Sequence, residues 1–258
     1  MRKKIESLEI PVTMLDLTKA PDIDSLFSQY INKDARICLY IGSPVYASHP
    51  VPPVLDVIER LPIVSDAYAV PFVTWGAVTS GLALYEMGVA LADRGYSVIG
   101  AAKVTAQHSM MWAEDIPLGY QRPNDEDEIA LEDLVSQVNK KLKTELPKEV
   151  PLSDLDYQED ALRQQMLQRS FEAAKSHFPP KKIHQERCTM CGICSDNCPV
   201  NAIEVMDTPI ISNLCIYCYN CVRLCPEMAI TADLNPIHDF IRQRATIIKE
   251  STTTQTYL

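Results

Sequence analysis

The sequence predicts a mixed α/β chain: a doubly wound parallel sheet over the first 146 residues, then a small cysteine-rich α+β unit. Three observations carry this. Short, nearly continuous apolar runs alternate with helix-like patterns as far as Leu146, as expected of parallel strands covered on both faces. Pro147, Pro151, Pro179 and Pro180 then interrupt the pattern. Beyond them, eight of the nine cysteines crowd into residues 188–225.

The strands expected in order are Ile10–Leu17, Arg36–Gly42, Ala69–Trp75 and Ser97–Val104. Pro52-Pro53 opens a helix to about Leu61. Thr79 or Ser80 caps a second, which stops at Gly95 behind Arg94, and Asp125 or Asp127 starts a third to about Leu146. Residues 147–180 read as a linker with one helix, Tyr157–Phe178, whose Met166, Leu167, Phe171, Ala174 and Phe178 share a face. Residues 181–234 form the cysteine-rich unit. Residues 235–258 hold a helix capped by Asn235, with Pro236 in its first turn, running to about Lys249. The last residues, STTTQTYL, read as a frayed tail.

Composition limits the function classes. At 258 residues the chain buries a sizeable core, and 47% hydrophobic with 22% charged residues is globular. A net charge of -10 argues against a nucleic-acid partner, since phosphate binding needs a basic face. Nearly all of that charge precedes residue 181, and Asp125-Glu126-Asp127-Glu128 reads as a solvated helix start. No apolar stretch reaches the roughly 18 residues of a membrane span. MRKKIESLEIP lacks the apolar core of a secretory signal. A cytoplasmic location is therefore expected, where clustered cysteines read as metal ligands. Cys38, inside a strand, reads as a small buried hydrophobe.

The cysteines repeat with a period of 27 residues: CTMCGICSDNCP, then CIYCYNCVRLCP. Pro199, Ala202 and Ile203 recur as Pro226, Ala229 and Ile230, and Ile183 as Ile210. Three thiolates at this spacing wrap one cluster from a tight loop, and the fourth, followed by proline, ligates the other. Cys188, Cys191, Cys194 and Cys225 would hold one 4Fe–4S cluster, and Cys215, Cys218, Cys221 and Cys198 the second. Structural zinc pairs its cysteines two and two around one ion and fits this spacing poorly. Gly192 would let backbone N–H groups approach the first cluster. Tyr217 and Tyr219 either pack on a cluster or belong to ordinary core.

These residues, about Lys182–Asp233, closely resemble the bacterial two-cluster ferredoxins. The resemblance implies one-electron transfer at low potential with partner redox proteins. The stretches SPVYAS, VTWGAVTS, GYSVIGAA and AQHS resemble the flavodoxin-like domain of a family that fuses it to such a ferredoxin. In that family FMN sits at the carboxyl edge of the sheet, between three loops. Carried onto this chain, Ser43–Ser48 is the second loop, with Ser43, Pro44 and a stacking Tyr46. Thr74–Thr79 is the third, with Trp75 and Gly76 beside the ring. Ser48 and Ala77-Val78 depart from the glycine and polar residues of relatives.

The first strand and the phosphate loop of such a domain are missing. No S/T-x-T-G-x-T run occurs, Met1–Leu8 reads as the end of the helix that should follow it, and Ile10–Leu17 matches strand 2. Three explanations are open: a start at an internal Met of a longer chain, a strand 2 shifted to pair directly with strand 3, or a strand supplied from elsewhere. FMN is expected to bind weakly or not at all, because its phosphate would lose several charge-assisted hydrogen bonds of roughly 1.5–3 kcal/mol each. His108 either borders the flavin site or is a structural hydrogen-bonder. His49, His177, His184 and His238 carry no ligand spacing. Nucleotide-binding glycine motifs and G-x-S-x-G are absent. The readings are an electron carrier with two clusters, a flavin enzyme fed by them, or an assembly module using clusters as staples. Flavin content and cluster reducibility separate the three.

Overall fold

The computed structural model describes residues 1–19, 22, 23, 25, 27, 36–63 and 67–258. Helix α1 (Arg2–Ser7) leads to strand β1 (Ile37–Tyr46) and the two-residue β2 (His49–Pro50). Helix α2 (Pro52–Arg60), β3 (Ala67–Trp75), α3 (Ala83–Asp93), β4 (Tyr96–Val98), β5 (Ala101–Thr105) and α4 (Asp125–Leu142) follow. Strands β1, β3 and β5 run parallel, with Ile37 opposite Ala67 and Phe72 opposite Ala102. Val54, Ile58, Leu84, Met87 and Leu91 of α2 and α3 bury one face of this sheet. Leu134 and Val138 of α4 bury the other against Tyr68, Val70 and Val104. Coverage of both faces explains why the strands read as unbroken apolar runs rather than alternating ones.

Several expected elements differ. Ile10–Leu17 is not a strand: Pro11 removes a donor, and Asp16 accepts hydrogen bonds from the Thr18 backbone (3.1 Å) and hydroxyl (2.6 Å), closing a turn instead. A strand there paired directly to β1 is therefore not what forms. Among the described residues, β1 pairs with β3 on one side and only through Val45 and Tyr46 with β2 on the other. The single strand at Ser97–Val104 is two, β4 and β5, separated at Gly100. A Cβ on Gly100 would lie 2.8 Å from Val138, so the glycine admits α4. Asn124, not an aspartate, caps α4, in a capping box with Asp127. Asp127 is buried rather than solvated. Leu82 rather than Thr79 or Ser80 precedes α3, and Leu234 rather than Asn235 precedes the last helix.

A short α5 (Leu152–Leu155) precedes the expected helix Tyr157–Phe178, which is broken into α6 (Asp160–Leu167) and α7 (Phe171–Lys175). The Ser170 hydroxyl restarts α7 by accepting from the Ala173 N–H at 3.1 Å. The cysteine-rich unit holds β6 (Lys182–Ile183), α8 (Ile193–Asp196), β7 (Ile203–Val205), β8 (Pro209–Ile211), α9 (Asn220–Arg223) and β9 (Ile230–Thr231). Antiparallel pairs β6–β9 and β7–β8 enclose a small core of Cys194, Ile203, Cys221 and Ile230. Helix α10 (Asn235–Ile248) packs Ile241 in one cluster with Met110, Met111 and Tyr219. The tail is not frayed: β10 (Gln255–Tyr257) pairs antiparallel with β5, and Tyr257 stacks on Tyr157 at 5.9 Å. No helix among the described residues is long and apolar enough to cross a membrane.

Candidate metal centres

The two cysteine runs share a backbone as well as a spacing. Met190 and Tyr217, Gly192 and Tyr219, and Asn201 and Met228 all have positive φ, between 49° and 77°. Each pair lies one repeat apart. The left-handed residues on either side of the second cysteine curl the loop so that three thiols face inward, and a one-turn helix, α8 or α9, then carries the third. The fourth cysteine of each run accepts an N–H from four residues on: Ala202 to Cys198 at 3.1 Å, Ala229 to Cys225 at 3.2 Å.

This geometry makes two hollows. Cys188, Cys191 and Cys194 line one of about 350 Å³, together with Cys225 of the other run. Cys215, Cys218 and Cys221 line a second of about 280 Å³, together with Cys198. Each hollow thus draws three thiols from one run and one from the other. Four thiols spread around each hollow suit a many-atom cluster. Burial raises the Cys194 and Cys218 thiols and pushes Cys221 up to about 12, with neighbouring cysteines adding to each. Thiolates so crowded need cationic iron to form, and soft thiolate sets suit iron–sulfur clusters.

Residues 181–204 and 208–231 each match the family model of the 4Fe-4S binding domain. No curated protein matches the chain. The chain contains a ferredoxin-like 4Fe–4S domain, and iron–sulfur electron transfer is the class of chemistry it carries.

The residues expected around a flavin stand at the neighbouring ends of β1 and β3, with Pro44 opposite Thr74. Ser43 is buried in β1, its hydroxyl accepting from the Val51 N–H at 3.0 Å and donating to the Pro44 carbonyl at 2.8 Å. The expected loop Ser43–Ser48 is strand as far as Tyr46, then a two-residue hairpin turn. Ala47 and Ser48 both have positive φ, which turns the chain directly into β2. Tyr46 is not exposed: burial and nearby Cys218 push its phenol up to about 12, and its hydroxyl meets Ser109. Trp75 is 2% exposed, with its indole N–H unpartnered. A Cβ on Gly76 would sit 2.5 Å from the ring of His108. His108 is a neutral acceptor for the Met110 N–H at 3.3 Å, its pKa lowered to about 4 by burial and by His238.

Two groups escaped sequence reasoning. Lys181 lines the second hollow and donates to the Cys215 sulfur at 3.3 Å. Comparing the copies position by position would have exposed it, because its repeat mate is the neutral Thr208. Glu250, in the supposedly frayed tail, accepts from Lys103 at 2.7 Å, Thr79 at 2.9 Å and the Ser80 N–H at 2.9 Å, and also from the Ser80 hydroxyl. Those contacts join segments far apart in sequence, and no local pattern announces them.

Proposed function

We propose that this protein is an electron carrier with two 4Fe–4S clusters, exchanging single electrons with partner oxidoreductases. Cys188, Cys191, Cys194 and Cys225 hold one cluster, and Cys215, Cys218, Cys221 and Cys198 the other. The observation that carries the reading is the lining of the two hollows, four thiols each, with the fourth exchanged between runs. When bound, the clusters supply one-electron oxidation and reduction without proton or group transfer. The protein's own groups hold the thiolates, donate N–H bonds to Cys198, Cys215 and Cys225, and cover part of each site.

The parallel order of β1, β3 and β5, with helices on both faces, supports a flavodoxin-like reading of residues 1–146. Against a flavin enzyme stand Trp75, turned into the core, and Thr79 and Ser80, whose donors are committed to Glu250. FMN is accordingly expected to be weakly held or absent. Anaerobic purification of the full chain with iron, sulfide and flavin analysis tests both statements. About eight iron and eight sulfide per chain, with little flavin, is the expected result. Four or fewer iron atoms would overturn the two-cluster reading, and stoichiometric FMN would favour the enzyme.

A further inference from the structure

Among the described residues, a cation lines the second hollow and none lines the first. Lys181 Nζ lies 3.3 Å from the Cys215 sulfur, 3.9 Å from the Tyr217 ring centroid and 4.6 Å from that of Tyr219. Those rings are themselves fixed. The Tyr219 hydroxyl donates to the Pro179 carbonyl at 2.8 Å, and Tyr217 packs on Phe178 at 5.3 Å. Among the described residues the ammonium makes no ion pair with a carboxylate: its polar partner is a cysteine sulfur. One repeat later stands Thr208, whose hydroxyl is buried without a partner, while Glu227 lines the first hollow. The copies therefore differ by a fixed positive charge at one centre and a carboxylate at the other.

We propose that Lys181 sets the reduction potential of the second centre, holding it above that of the first. The proposal rests on the two-cluster reading above. Reduction adds one negative charge to the centre, and an ammonium bonded to a ligand sulfur favours the more negative state. The second run is also the more buried, and burial alone opposes added charge. The same exclusion of water strengthens the ammonium's attraction, so burial amplifies the term that offsets it.

The test is a redox titration of the loaded, full-length protein, followed by electron paramagnetic resonance, with Lys181→Met and Lys181→Arg. Iron and sulfide analysis comes first. A wild-type chain without two clusters defeats the two-cluster reading itself, whatever Lys181 does. With both clusters present, K181M should lower the higher midpoint potential by about tenfold in its reduction equilibrium, ~59 mV for one electron. K181R, which keeps the charge, should move it much less. A Cys225→Ser protein, left with the second centre, should titrate at the higher value. Unchanged potentials in fully loaded K181M, or movement of the lower one, would overturn the proposal. If K181M loses a cluster, the shift is read instead from Lys181→Gln; an unshifted K181Q counts equally against it.

Discussion

The two cysteine runs descend from one pattern yet live in different surroundings. In the first, Met190 is 58% exposed, Cys191 is exposed, and a Cβ on Gly192 would meet the Asp196 carboxylate at 3.8 Å. In the second, Ile216 and Tyr219 are buried, Tyr219 completely. That loop meets Met110, Met111, Leu234 and Ile241, a core built from the first half of the chain and the last helix. Identical ligand spacing thus fixes the cluster type, while the residues between the cysteines decide which centre faces solvent and which faces the sheet. Tyr46, at the carboxyl end of β1, lies beside the second run, near Cys218.

The largest effect would come from exchanging the fourth ligands. Cys198→Ser should remove the second cluster and leave the exposed one, which a chelator strips quickly. Cys225→Ser should leave the covered one, stripped slowly. Both proteins should hold about half the wild-type iron. If the chelator-labile cluster disappears in C198S instead, each run ligates its own cluster and the assignment is wrong.

Next is Glu250→Ala. Lys103 is 3% exposed, and the side chain of its partner Glu250 is 10% exposed. Removing one member of such a pair costs about 3–5 kcal/mol, because the other charge stays buried. Glu250 lies two residues beyond α10, whose Ile241 packs in one cluster with Tyr219, so the loss should fall on one side of the comparison. Chelator release from the second centre should quicken while that from the first stays as in wild type. Equal acceleration at both would show that the tail stabilises the whole chain and does not cover the second run in particular.

Tyr219→Gly measures what the aromatic contributes where the first run has glycine. A left-handed residue other than glycine costs roughly 1–2 kcal/mol, but truncating a buried aromatic costs about 3–5 kcal/mol. Burial should win, with a net loss of about 2 kcal/mol in chemical denaturation. A stabilised Y219G would mean that strain dominates at this position.

How much of this the sequence revealed depended on distance along the chain. The cysteine spacing is local, and so were the repeat and the strands β1 and β3, whose apolar runs need no partner to be read. Ile10–Leu17 misled because its apolar content suits a strand, while Pro11 and the Asp16–Thr18 turn deny it a ladder. The flavin loop misled because Gly42-Ser43-Pro44 looks like a break, yet all three residues keep their register opposite Phe72, Val73 and Thr74. Thr79 and Ser80 resembled a helix cap, but the carboxylate that takes their donors, Glu250, lies 170 residues from Ser80. Asymmetry between the runs was legible in principle, as Gly192 against Tyr219 and Thr208 against Lys181.

The smallest expected effect depends on pH. The His49 ring lies 2.8 Å from Glu86 and 2.6 Å from the Arg169 carbonyl, with the Met166 carbonyl at 3.3 Å. It thereby clasps the break between α6 and α7, and Phe171 of α7 packs through Phe178 toward Tyr217 of the second loop. Burial pushes the His49 pKa down, but the Glu86 carboxylate and the two carbonyls outweigh burial and raise it above 6.5. A raised folded-state pKa means that the native protein holds this proton more tightly than the unfolded chain. The resulting stability is complete below pH 6.5 and is lost as pH rises through the folded pKa. His49→Gln should therefore cost about 1.5 kcal/mol near pH 6, the low end for a hydrogen bond to a charged group, since Glu86 is partly exposed. The difference from wild type should shrink toward pH 9. A deficit constant with pH would mean that the ring acts by shape alone. Faster chelator release from the second centre in H49Q near pH 6, with the first unchanged, would place the clasp on the covered side of the comparison.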